Sequence, residues 1–167
     1  AFPGAADARA FEKQSAVRTF TTEQLAAAVE WTGLIRTELW IASTARDTDF
    51  IVRVSDVYPD GRSILLVDYV RRARYREGYE REVLLEPGKP TPLAFDIGWL
   101  SYIFNKGHRI RVTVASHGAP FFEPNPNTGE ALTIEKPAKT FVAENTIFHN
   151  REHASRLLAP VVPKAAR

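Results

Sequence analysis

The chain has 167 residues, 44% of them hydrophobic and 25% charged, a composition that suits one globular domain with a single core. Its 22 basic and 20 acidic residues leave a net charge of +2, too small to imply a nucleic-acid partner. Cysteine is absent, which excludes disulfides, zinc thiolates and thiol nucleophiles, and no run of about eighteen apolar residues is there to form a membrane span.

Methionine is absent too and the sequence opens AFPG, so it reads as a processed product or as a piece of something longer. Residues 1–14 are small and polar and read as a linker or arm; 15–163 read as one domain, with 164–167 as a tail. From Ser15 onward, short apolar runs recur at even intervals: VRTF, LIRTELWIA, FIVRVSDV, SILLVDYV, TPLAFDI, RIRVTVAS and KTFVAENTIF. The turn signals ARDTD, PDG, EPGKP, NKG and EPNPNTG separate them, which predicts an all-β sandwich or barrel.

The first ambiguous segment is TTEQLAAAVE. Thr21 and Gln24 have capping-box spacing and the alanines favour helix. The rival is a strand over Ala27–Thr32 that pairs with LIRTELWIASTA across Thr32–Gly33. In FIVRVSDV, Phe50, Val52 and Val54 oppose Arg53 and Ser55, so one face is core and the other wet. DVYPDGRS then supplies a hairpin turn: Pro59 suits the second position of a type I turn, Asp60 the third, and Gly61 the positive φ of the following bulge. VRRARYRE, read as a strand, places Arg72, Arg74 and Arg76 on one face about 7 Å apart, where they suit phosphates or, as a solvated face, ion pairs with Glu77, Glu80, Glu82 and Glu86. RIRVTV alternates in the same sense, with Ile110, Val112 and Val114 opposed to Arg109, Arg111 and Thr113.

Few residue sets carry chemistry. VASHG has only the second glycine of a G-x-S-x-G elbow, and Ser116 and His117, adjacent in a strand, point apart. His149 and His153 have the i, i+4 spacing of a helical metal pair without the acid of HExxH. Asp56 and Asp60 lack a third acid or a nearby histidine. Asp47 and Asp49 are weak candidates for a calcium site, against a turn held by local side-chain hydrogen bonds. No catalytic residue and no cofactor follows from these sets.

Taken in order, DTDFIVRVSDVYPDGRS, RARYR, EPGKPTPLAFDIG, FNKGHRIRVTVAS, NPNTGE and TIFHNREHASRLLAPVV resemble the C-terminal domain of the X-Pro dipeptidyl-peptidase and cocaine-esterase family of serine hydrolases. The resemblance implies a jelly-roll β-sandwich of the galactose-binding kind with few short helices, set beside an α/β-hydrolase domain that carries the catalytic triad. None of the family's catalytic residues falls in the matched part. The resemblance also favours the strand over Ala27–Thr32. After Ser116 the family usually continues through serines, whereas HGAPFFEP stands here, so the local loop shape is open.

Two functions are expected from this. One is a non-catalytic accessory domain of an esterase, acylase or dipeptidyl peptidase, with the α/β-hydrolase domain of its parent chain as partner and with homo-oligomerisation left open. The other is a carbohydrate- or ligand-binding module, which needs an exposed platform from Trp31, Trp40 or Trp99; the apolar surroundings of Trp40 and Trp99 argue for burial. Within SHGAPFFEPNPNTG, a loop by its prolines, adjacent Phe121 and Phe122 point to opposite sides, so one enters the core and the other faces the partner, unless both fold under the loop.

Overall fold

The computed structural model describes residues 6–118, 122–131 and 139–163. Its elements run α1 (Arg9–Glu12), β1 (Arg18–Thr21), β2 (Val29–Ser43), β3 (Asp49–Val57), β4 (Ser63–Arg72), a 3-10 turn (Ala73–Tyr75), β5 (Thr91–Phe104), β6 (Arg109–Ala115), β7 (Asn145–Phe148) and β8 (Arg156–Leu158). The strands form two antiparallel sheets of a jelly-roll sandwich. One has the order β1-β6-β3-β4; the other has β5-β2-β7, with β8 also on β2.

Alternation puts Phe50, Val52 and Val54 of β3 and Ile110 and Val114 of β6 into the space between the sheets. Ile35, Leu39 and Ile41 of β2 and Leu93, Phe95 and Ile97 of β5 meet them from the other side. Burying each such side chain contributes about 1.5–3 kcal/mol, which makes this shared layer the main driving force of the fold.

The TTEQLAAAVE segment is neither helix nor hairpin. Strand begins at Val29 and continues for 15 residues without turning at Thr32–Gly33. Its partner β5 is nearly as long and pairs with it from Val29↔Phe104 to Ile41↔Thr91, with one bulge after Ile35, so the ladder leaves no reason to reverse. Gly33 serves a close approach instead: its φ is +143° and a Cβ there would lie 2.7 Å from Pro160 Cγ, where the C-terminal segment crosses β2.

The turn at DVYPDGRS forms as its residues predict. Gly61 N–H donates to the Tyr58 carbonyl (2.9 Å) and Tyr58 N–H to the Arg62 carbonyl (2.9 Å). Gly61 has φ +88°, the left-handed bulge that returns the chain into β4.

The expected wet face of the β6–β3–β4 sheet is covered instead. Residues Ser55 and Thr113 are buried there. The N-terminal arm crosses over them: Phe11 lies under the Arg53 guanidinium at 3.9 Å, and Glu12 accepts from Arg111 Nη1 and Ser63 Oγ, each at 2.6 Å. A carboxylate and a ring on the arm match the Arg and Ser of the strands, so alternation alone misjudged this face as solvent-exposed.

Candidate functional site

Two polar clusters sit at opposite ends of β3. At its start, the Asp47 carboxylate accepts from Arg74 N–H (2.9 Å), Arg74 Nε (2.7 Å) and Asn125 Nδ2 (2.9 Å). Asp49 takes Arg72 through Nε (2.9 Å) and Nη2 (3.1 Å), and Asn125 Nδ2 bridges to it at 2.9 Å. Arg74 also donates to Glu82 (3.0 Å) and to the Glu130 carbonyl (3.0 Å). Arg74 is 1% exposed and Asp47 0%.

This overturns the solvated face expected at VRRARYRE but keeps part of its expected ion pairing, Arg74 with Glu82 and Arg76 with Glu77 (3.7 Å). Strand β4 ends at Arg72, and the 3-10 turn rotates Arg74 inward onto Asp47. Burial opposes the charge on Arg74, and its bonds to Asp47 and Glu82 outweigh that effect, holding its pKa above the ordinary value. Asp47 and Asp49, the weak calcium candidates, have their oxygens committed to guanidinium and amide donors. No group of three or more potential metal ligands occurs among the described residues. What the cluster does is mechanical: Asn125 ties the NPNTG loop to both carboxylates, and its Oδ1 also accepts from Asn127 N–H at 2.9 Å.

At the far end of β3, Asp56 is buried and accepts from Tyr102 OH (2.9 Å) and the His108 Nδ1 position (2.9 Å), with the Tyr58 ring 4.4 Å from the imidazole. Burial and the hydrogen bonds to Tyr58 and Asp56 raise the Tyr102 pKa. Asp60 sits in the turn, as its residues predict, and pairs with Arg62 on the surface at 2.8 Å, so it forms no acid pair with Asp56. Asp56 and His108 lie far apart in the sequence, and only the β3–β6 register brings them together.

The remaining candidates are also occupied structurally. Ser116 Oγ accepts from Asn145 Nδ2 at 2.7 Å, while His117 is exposed. His149 and His153 lie on the turn between β7 and β8 instead of a helix; His149 meets Phe20 edge-on, and His153 meets Trp40 at 4.6 Å. Trp31 is buried against Phe104 and Trp40 is half-buried. Trp99 departs from expectation. It is 78% exposed, because the β5 bulge after Ile97 turns it to the outer face. Phe121 lies outside the described residues. Phe122 is half-buried against Gly118 and lines a cleft of about 250 Å³ with Tyr69, Tyr75, Tyr79 and Arg72.

Such a molecule is a sandwich domain whose charged and polar groups hold loops to strands. Residues 4–158 match the model of the X-Pro dipeptidyl-peptidase C-terminal non-catalytic domain, and the chain belongs to that family. It is 37% identical to the cocaine esterase of Rhodococcus sp. (strain MB1 Bresler) over 161 residues, which are 96% of this chain and 28% of the esterase. Its fold superposes on an alpha-amino acid ester hydrolase with TM-score 0.89 at 26% identity, covering 95% of this chain and 27% of that one. An aminopeptidase from a marine sediment Thaumarchaeota archaeon gives TM-score 0.90 at 24% identity, over 95% of this chain and 28% of that one. The chain thus spans little more than a quarter of the length of these relatives, and it is not the catalytic part of such a hydrolase.

Proposed function

We propose that this chain is the accessory domain of a serine hydrolase, an esterase, acylase or X-Pro dipeptidyl peptidase, that packs on an α/β-hydrolase domain of the same polypeptide and helps wall its substrate cleft. The observation that carries this is the match to a non-catalytic family domain along nearly the whole chain, together with its coverage of only 28% of the related esterase. Phe121 and Phe122 belong to the docking face in this reading.

The test has two parts. A fluorophosphonate probe labels no serine of the isolated chain, and the chain hydrolyses neither acyl esters nor X-Pro amides above background; a labelled serine refutes the reading. The polypeptide upstream of Ala1 carries a G-x-S-x-G elbow, and its absence refutes the parent hydrolase.

A second reading is favoured by one observation, the exposed Trp99 beside Leu34, its cross-strand partner. As a flat ring on an open sheet, Trp99 suits stacking on a sugar. Thr32 and Ser101 next to it bond to one another at 3.1 Å, which engages the nearest hydroxyls internally. Millimolar glycan that leaves Trp fluorescence and amide shifts unchanged removes this reading.

A further inference from the structure

We infer that the cleft walled by Tyr69, Tyr79 and Phe122 at the edge strand β4 is the seat of the hydrolase domain, which inserts an uncharged, apolar or aromatic side chain there. This rests on the accessory-domain reading and adds the place and chemistry of the contact.

Three observations converge on this edge. The first is aromatic exposure. Tyr79 is 66% exposed and Tyr69 42%, and both line or flank the cleft that Phe122 closes. Tyrosine joins a large apolar body to a polar rim, which is why it is enriched in interfaces, and one ring here is already held in place: the Arg71 guanidinium stacks 4.8 Å from the centre of Tyr79. A surface fixed before binding loses less conformational entropy on docking.

The second is the floor. Asp49 and Arg72 line the cleft, and they neutralise one another through two hydrogen bonds, while Asn125 pins Asp49 from the loop. The floor pair has no net charge, and the exposed Glu123 that also lines the cleft adds one carboxylate, which turns away an acidic group. With four aromatic rings around it, the cleft suits an uncharged side chain.

The third is the direction of the polypeptide. The described chain enters along β4: Ala8 N–H donates to the Ser63 carbonyl (2.7 Å), Leu65 N–H to the Ala6 carbonyl (3.0 Å), and Asp7 pairs antiparallel with Ile64. Antiparallel entry at the start of β4 points back toward its Tyr69–Arg72 end. The family's domain is C-terminal, so the remainder of a family chain precedes it, and the first described residues, Ala6–Ala8, lie along this strand. Trp99 lies on the outer face of the other sheet and is predicted to stay in water.

Hydroxyl-radical footprinting with mass spectrometry tests this on two samples, the 167-residue chain and the full-length gene product. Tyr69, Tyr79 and Phe122 oxidise readily in the short chain and lose most of that reactivity in the full-length product, while Trp99 oxidises equally in both. Protection of Trp99 with Tyr69 and Tyr79 unprotected overturns the location and leaves the accessory-domain reading standing. Protection of none of them overturns both. As a second measurement, Tyr79→Asp leaves the melting temperature of the short chain unchanged and weakens its binding to the separately produced hydrolase domain by about tenfold or more, as loss of an interface anchor does. Unchanged binding overturns the inference.

Discussion

Replacing Arg74 by methionine isolates the cluster at the start of β3. The substitution keeps much of the apolar stem and removes the Nε donor to Asp47, the Nη1 donor to Glu82 and the Nη2 donor to the Glu130 carbonyl. Asp47, with none of its surface in water, keeps the backbone N–H of residue 74 and the Asn125 amide but loses its own counter-charge. Breaking a buried pair from one side costs about 3–5 kcal/mol, and the two surviving donors place the loss here near the lower end, about 3 kcal/mol. Glu82 is half in water, so Glu82→Gln costs less than about 1 kcal/mol and serves as the control. Urea unfolding followed by far-ultraviolet circular dichroism reads both, and the double variant Asp47→Asn with Arg74→Met recovers part of the loss because no unpaired charge remains. A loss under about 1 kcal/mol for Arg74→Met, at unchanged m-value, refutes the argument that the pair holds this end of the sandwich.

Three further outcomes are expected. Gly61→Val lowers stability by about 1 kcal/mol through backbone strain at positive φ, since nothing lies within 4 Å of the added Cβ; an unchanged melting temperature contradicts the bulge geometry. Thr113→Val raises stability by up to about 1 kcal/mol, because the buried Thr113 hydroxyl has no partner among the described residues; a destabilised variant in thermal melts contradicts this. The Asp7 carboxyl, bonded by the side chain and backbone N–H of Arg9, titrates at about 2 in place of 3.8. A depressed folded value means the contribution of the pair is complete above pH 3.8 and fades as pH falls toward about 2; carboxyl carbon NMR follows it, and Arg9→Ala returns the midpoint toward 3.8.

Local chemistry was legible wherever a residue's own conformational demands decided the structure. Pro59, Asp60 and Gly61 each want the position they occupy, and the alternation of Phe50, Val52 and Val54 names the core face of β3. Positions settled by a distant partner were not legible. Arg74 reads as a surface cation until Asp47 is seen across the 3-10 turn, and Thr113 reads as solvent-facing until Phe11 and Glu12 of the arm cover that sheet. The Asp56–His108 contact depends on strand register, which no local pattern encodes. Trp99 misled in the opposite sense: its apolar neighbours Ile97, Leu100 and Phe104 go inward, and the bulge sends the tryptophan out.

The long strand β2 depends on residues synthesised long after it. One of its edges is closed by β5, and among the described residues the other is closed by β7, β8 and the bridge from Trp31 to Val161. Ser155 Oγ accepts from Trp40 N–H across 115 residues of sequence. During synthesis, therefore, β2 has one open hydrogen-bonding edge until the segment from Asn145 onward has left the ribosome. Contacts of such long sequence separation form slowly, and an unpaired edge invites pairing with another chain in the interval. Truncations that stop short of Arg156 are then expected to yield aggregated protein even though most of the core residues are already present, and a folding partner that shields the β2 edge during translation would raise the yield of the intact sandwich.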